Sequence, residues 1–188
     1  MLNTTNIAQN TDILIVGGGV VGLSSAIAMA VRGFEVVVID SGHLNPDLVL
    51  ENTRVYAINM ASEALFDKLG VWSLLPESTK APYRAMHIWD AAHAAQIDFH
   101  ARDITKRQLG FMMREHDLKR ALLKRAKAIG VRLVSETRVQ ACRELAQGMC
   151  VEDDQQAIWQ ARLLMAADGA RSYTRGLLKV PMTSWAYA

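Results

Sequence analysis

Residues 12–26 read DILIVGGGVVGLSSA, with four glycines between positions 17 and 22. A stretch this poor in side chains, set between strand-forming and small residues, constrains the fold more than any other feature of the chain. Residues 13–16 are apolar and mostly β-branched, which suits a strand buried on both faces. Residues 17–22 predict a turn. Residues 23–31 then place small and apolar residues at helical spacing, and Gly33 stops that helix. Residues 35–40, EVVVID, predict a second buried strand. Strand, turn, helix and strand in this order make a right-handed βαβ unit with its strands parallel.

Gly17-x-Gly19-x-x-Gly22 in that context fits a dinucleotide-binding turn. Gly17 allows the tight exit from the strand, Gly19 lets a pyrophosphate approach bare backbone, and Gly22 lets the helix pack closely on the sheet. The helix N-terminus offers free N–H groups and partial positive charge to the phosphates. Asp40 closes the second strand, where a carboxylate accepts hydrogen bonds from both ribose hydroxyls and disfavours a 2′-phosphate. Val21 in the turn and Ser41 beside Asp40 join them as cofactor-binding positions. An ADP moiety belongs to NAD and to FAD alike, and the turn accommodates either.

The uncharged run 13–31 is long enough to raise the question of a membrane span. Three adjacent glycines and two serines dilute it, and the residues before it carry Asp12 but no basic group. The expectation is a soluble, cytoplasmic protein without a targeting segment. A chain that is 51% hydrophobic and 21% charged can build a real core. A net charge of +2, with no Lys/Arg stripe interleaved with aromatics, argues against nucleic acid as a partner. Cys142 and Cys150 have neither metal-ligand nor disulfide-framework spacing, and the five histidines are scattered, so no metal site is expected.

Beyond the βαβ unit a polar loop covers 45–53. A helix is predicted over 56–69, with Ile58, Ala61, Leu65 and Leu69 on one face and Gly70 as its stop. Residues 76–83 look irregular, and 86–90 and 95–100 read as short strands. A second helix is predicted over 117–129, with Leu118, Ala121, Leu122 and Ile129 as its apolar stripe. Strands follow over 131–135, 138–145, 148–152 and 157–167, and the last runs into Asp168-Gly169. An NAD dehydrogenase would continue with regular βα units; this chain inserts a loop, a helix and strand pairs, then a meander.

GGGVVG at 17–22, TRVYAINMASEALFDKLGVW at 53–72 and ADGARSYTR at 167–175 occur in an order that resembles the FAD-dependent aromatic-ring monooxygenases. RVYAIN with LGVW, and the ending VPMTSWAYA, are most similar to the ubiquinone-biosynthesis hydroxylase branch. The resemblance implies an α/β, Rossmann-like FAD-binding domain of the glutathione-reductase-like ββα type, with a mostly parallel sheet plus a β-meander. It places Gly17, Gly19 and Gly22 at the FAD pyrophosphate and Asp40 at the adenosine ribose, where the family usually has Glu. Arg54 matches an arginine near the flavin and pyrophosphate. Asp168 and Gly169, with Ser172 and Arg175, match an Asp-Gly motif linked to FAD and nicotinamide binding. Val139 lies where relatives contact adenine through backbone atoms. Many relatives place an arginine at the start of the helix near 115; here that register holds Glu115, with Arg114 beside it as the candidate replacement.

The implied chemistry is hydroxylation of an electron-rich phenol, a polyprenylated one, using FAD, NADPH or NADH, and molecular oxygen. No nucleophile or general base is assigned. Such a substrate points to work at the inner-membrane surface or in a lipid-synthesis complex. Family members run on into a substrate region with a second flavin fingerprint containing Gly-Asp, a dipeptide this chain lacks. The expectation is therefore an N-terminal, incomplete FAD-binding domain over 1–188. The substrate region would begin after about residue 176 and its C-terminal part would be absent. Apolar surface left uncovered in such a piece favours self-association. The alternative readings are another FAD-dependent oxidoreductase of the same fold, or a truncated nucleotide-binding module without turnover.

Overall fold

The computed structural model describes residues 8–185. Residues 1–7 and the last three residues of the VPMTSWAYA ending lie outside the described residues. In chain order the elements are β1 (Gln9–Val16), α1 (Val20–Ala30), β2 (Val36–Ile39), β3 (Val55–Asn59), α2 (Met60–Lys68), β4 (Ala81–Tyr83), β5 (Ala85–Trp89) and β6 (Gln96–His100). They continue with β7 (Gly110–Arg114), α3 (Glu115–Ala128), β8 (Arg132–Val134), β9 (Val139–Leu145), β10 (Gly148–Asp153), β11 (Ile158–Ala166) and α4 (Tyr173–Leu177). The chain divides into two compact units, one of residues 1–48 with 126–188 and one of residues 49–125.

The first unit is built on a six-stranded sheet in the order β8-β2-β1-β11-β10-β9. The pairs β8–β2, β2–β1 and β1–β11 are parallel, and β11, β10 and β9 follow as an antiparallel meander. This is the mostly parallel sheet plus meander that the sequence implies. Residues 13–16 of β1 and all of β2 are continuous apolar runs because both faces are covered: Leu14, Ile15, Val38 and Ile39 are fully buried, as are Leu23, Ala26 and Ile27 of α1. Leu14, Val16, Val37 and Ile39 share one face and pack with Val139, Val151, Trp159 and Ala161 of the meander. Each large side chain buried there contributes about 1.5–3 kcal/mol.

The meander turns on one buried acid. Asp153 accepts hydrogen bonds from the Trp159 indole N–H (2.8 Å), Gln155 N (3.0 Å) and Ala157 N (2.9 Å). The Arg132 guanidinium lies over that indole, 4.9 Å from the ring centre. Asp153→Ala strands a buried indole N–H and two turn amides, so urea unfolding should show a loss of about 3 kcal/mol. A loss below about 1 kcal/mol would mean that water replaces the carboxylate at no cost.

In the second unit β3, β7 and β4 form an antiparallel sheet in the order β3-β7-β4, and β5 and β6 form a separate hairpin. One face of the hairpin carries the pairs Met86↔Phe99 and Ile88↔Ile97, all four at least 36% exposed. The hairpin matches the two short strands read from the sequence.

Several elements differ from the sequence reading. The helix expected over 56–69 begins at Met60, because Val55–Asn59 is strand β3 and the Asn59 side chain caps α2 by accepting from Ser62 N at 2.8 Å. Phe66 is the buried residue of α2 and its C-cap Leu69 is buried too, while Leu65 is exposed. α1 begins at Val20, so half of the expected turn is helix, and α3 begins at Glu115 rather than at 117. The irregular stretch 76–83 contains β4, and β7 lies in a segment to which no element was assigned.

Candidate functional site

Register fixes where the site forms. Val16, Ile39 and Ala166 are neighbours at the carboxyl ends of β1, β2 and β11. The residues that follow them, Gly17, Asp40 and Asp168 with Gly169, therefore emerge at one edge of the sheet. β1 stands at the switch point there, with β2 on one side and β11 on the other, and ligands of open α/β sheets bind outside the strand ends at such a point.

The glycines divide the work by sterics. Gly17 has φ +109°, and a Cβ on it would lie 2.4 Å from Ala167 O, so only a bare backbone lets the ends of β1 and β11 close together. A Cβ on Gly22 would sit 1.9 Å from Gly17 O, which shows how tightly α1 presses on the turn. Gly19 is the opposite case: nothing lies within 4 Å of its missing Cβ. A Cβ on Gly18, to which the sequence reading gave no task, would lie 2.2 Å from Leu44 Cδ2, the movable tip of a side chain.

Gly19 is also the N-cap of α1, with no side chain capping the helix and no acidic residue in its first turn. The backbone bond Leu23 N–H to Gly19 O (2.9 Å) opens the helix, so the N–H groups before it have no acceptor within the helix. An open backbone face beside uncapped N–H groups fits the pyrophosphate of a dinucleotide. Val21, in that first turn, is 71% exposed, an apolar side chain at the mouth of the site.

Asp40 sits half-buried at the end of β2. Its Oδ2 accepts from Gly18 N and its Oδ1 from Gly42 N at 2.7 Å. Ser41 next to it is exposed. Val139 points its side chain into the core, 4% exposed, so only its backbone is available to a ligand.

Asp168 accepts from the Ser172 hydroxyl on Oδ1 and from Thr174 N (2.9 Å) on Oδ2, and Ser172 Oγ in turn accepts from Arg175 N (3.0 Å). Gly169 has φ +86°. The carboxylate thus fastens the turn into α4. Partial burial pushes its pKa up, but the bonds from Ser172 and Thr174 outweigh burial and hold it below the usual carboxylate range. Ionised Asp168 therefore stabilises the fold above the ordinary carboxylate pKa, and that contribution is lost as pH falls through the lower folded value. Wild type and Asp168→Asn should differ in urea midpoint at neutral pH and converge in acid. A gap independent of pH would contradict this.

Arg54 and Arg114 belong to the second unit. Arg54 is exposed, its Nε 4.0 Å from Glu115 Oε2 and its guanidinium 5.4 Å from the Tyr56 ring centre. Glu115 also accepts from the Tyr56 hydroxyl (3.3 Å) and Asn52 Nδ2 (3.4 Å). Burial, then the Glu115 charge, raises the Tyr56 pKa. Arg114, paired across strands with Val55, donates from Nε to Asp117 Oδ2 at 2.9 Å. Both arginines thus have carboxylate partners within their own unit. Glu115 is a residue whose organising task the sequence reading missed. Among the described residues no helix is long and apolar enough to cross a membrane, and no group of three His, Cys, Asp or Glu could hold a metal ion.

A family model described as an FAD binding domain matches residues 10–186. The chain is 31% identical over 185 residues to the 3-demethoxyubiquinol 3-hydroxylase of Escherichia coli (strain K12), covering 96% of this chain and 46% of that protein. It is 32% identical over 168 residues to the ubiquinone hydroxylase UbiL of Rhodospirillum rubrum, covering 87% of this chain and 38% of that protein. The chain thus spans less than half the length of these relatives. A solved structure of PqsL, a probable FAD-dependent monooxygenase from Pseudomonas aeruginosa, superposes with a TM-score of 0.74 at 18% identity, over 95% of this chain and 48% of that one. At that identity the likeness is one of fold.

Proposed function

The chain belongs to the FAD binding domain family, and on that premise we propose that it is the nucleotide-holding part of a monooxygenase that hydroxylates an aromatic ring. The substrate we infer is a polyprenylated phenol on the route to ubiquinone, supported by the two ubiquinone-pathway hydroxylases it resembles at 31% and 32% identity. The observation that carries the reading is the open face of Gly19 beside the uncapped start of α1.

When bound, FAD supplies the redox chemistry, with NADPH or NADH as electron source and dioxygen as oxygen source. This chain's residues bind and orient it. Gly19 and the first turn of α1 receive the pyrophosphate, with Val21 against its flank. Gly17 and Gly22 keep that turn packed, Asp40 and Ser41 border the adenosine, and Val139 offers backbone to the adenine. Asp168 and Gly169 serve the flavin end. A greasy substrate fits a cytoplasmic protein working at the inner-membrane surface.

A second reading, a nucleotide-binding module without turnover, is favoured by the carboxylate partners of Arg54 and by the internal hydrogen bonds of Asp168. Flavin fluorescence titration, followed by NADPH oxidation with and without a prenylated phenol, both on the complete gene product, separates the two. Saturable FAD binding with substrate-dependent oxidation supports the hydroxylase, and binding without oxidation supports the module. No FAD binding by the complete gene product would sink both.

A further inference from the structure

The geometry points to a proton-operated clasp in the second unit: neutral His116 holds segment 49–54 against α3, and protonated His116 releases it. The inference concerns that unit alone and does not depend on the nucleotide reading.

Segment 49–54 opens the unit and forms no helix or strand of its own, so its place is set by the start of α3. Val49 O accepts from the Arg120 guanidinium (3.2 Å), Asn52 N–H donates to His116 Nδ1 (3.2 Å), and Arg54 O accepts from Glu115 N (2.9 Å). The Asn52 side chain donates to Glu115 Oε2 (3.4 Å) and accepts from Arg54 N (3.0 Å). The bond to His116 thus sits at the middle of the row, and Arg54 rides on the segment it holds.

His116 is only 2% exposed. An imidazole nitrogen accepts through a free lone pair, so accepting at Nδ1 assigns the proton of the neutral ring to Nε2. That Nε2 is buried and has no hydrogen-bond partner among the described residues. Asp117 Oδ1 lies 3.7 Å from it, beyond hydrogen-bond reach. A buried N–H left in this state is uncommon, and it calls for a physical reason.

A second proton on the ring supplies that reason. It binds Nδ1, where the new N–H meets the Asn52 N–H, so the bond is lost and two donors face each other. The charge is at the same time drawn through Nε2–H toward Asp117, which Arg114 Nε (2.9 Å) and Arg120 (3.8 Å) also approach. The ring has two partners and satisfies one at a time. The other charged or titratable groups at this place are Glu115 on α3, Glu51 and Arg54 on the segment, and Tyr56 on β3. Of these side-chain types only imidazole ordinarily changes charge between about pH 5 and 8. The clasp needs a bare Nδ1, so it holds at the alkaline end of that range and opens as the pH falls through it.

NMR of the isotope-labelled 188-residue chain tests this. At about pH 8 the His116 ring should show the Nε2–H tautomer, with Nδ1 resonating as an unprotonated nitrogen. Between about pH 8 and 5, exchange protection of the Asn52 amide should fall at least about tenfold, in step with the titration of that ring. The Leu122 amide, inside α3, should keep its protection throughout. His116→Asn places an oxygen that takes up no proton near the position of Nδ1, so its Asn52 amide should stay protected across the same range. The wild-type titration decides the matter even if that variant folds poorly. An Nδ1–H tautomer at the alkaline end, Asn52 protection independent of pH, or protection that falls equally in His116→Asn would each overturn the clasp.

Discussion

Gly19→Val should leave the chain folded while weakening FAD binding by at least about a hundredfold. The residue has φ −77° and ψ −177°, extended backbone that a β-branched residue adopts readily, and a Cβ there meets nothing within 4 Å. Valine is a poor helix N-cap, so a cost of about 1 kcal/mol is expected, which lowers the melting temperature by roughly 2–4 °C in a chain of this size. The isopropyl group fills the space over which a pyrophosphate would lie and shields the uncapped N–H groups of α1. Flavin fluorescence titration beside a thermal melt reads both effects. Unchanged affinity would mean that the dinucleotide does not lie over this turn.

Gly22→Ala should do the reverse and damage the fold itself. Helix propensity alone favours alanine by about 1 kcal/mol inside α1. Against that, the new methyl would stand 1.9 Å from Gly17 O and 3.3 Å from the Ala167 Cβ. Gly17 cannot yield, because the position of its own missing Cβ is already 2.4 Å from Ala167 O. Relief requires parting β1 from α1 or from β11, and a net loss above about 4 kcal/mol is expected. Urea unfolding measures it, and a change under about 1 kcal/mol would show that the turn relaxes freely. One added carbon at Gly22 thus costs stability, while three at Gly19 cost binding.

How much of this was legible in the sequence follows from how local each feature is. β1, α1 and β2 were readable because apolar runs, glycines and small residues each announce their element within a few positions. β3 was misread because Val55–Asn59 passes into α2 without a break, and the signal that divides them is the cap of Asn59 on Ser62. β7 was missed because five residues, GFMMR, gain their strand character from partners in β3 and β4 that lie far away in sequence.

At the site, the tasks of Gly17, Gly19 and Gly22 were legible from spacing. The packing of Leu44 against Gly18 was not, since it depends on where the loop after β2 carries that side chain. The bonds of Asp40 to Gly18 and Gly42, and the collection of Asn52, Arg54 and Tyr56 around Glu115, are likewise products of tertiary folding.

The pairing of β1 with β11 also sets when the fold can close. Ile13 lies beside Leu163, and Val16 beside Ala166, so the first strand finds one of its two neighbours only after residues 158–166 have left the ribosome. Until then one edge of an apolar strand waits unpaired, a template for association with other chains. Such distant closure makes folding slow relative to chains built from local contacts. Pulse-labelled hydrogen exchange during refolding should find the amides of β1 and β11 protected together and late, after those of α3, and early protection of β1 would contradict this order.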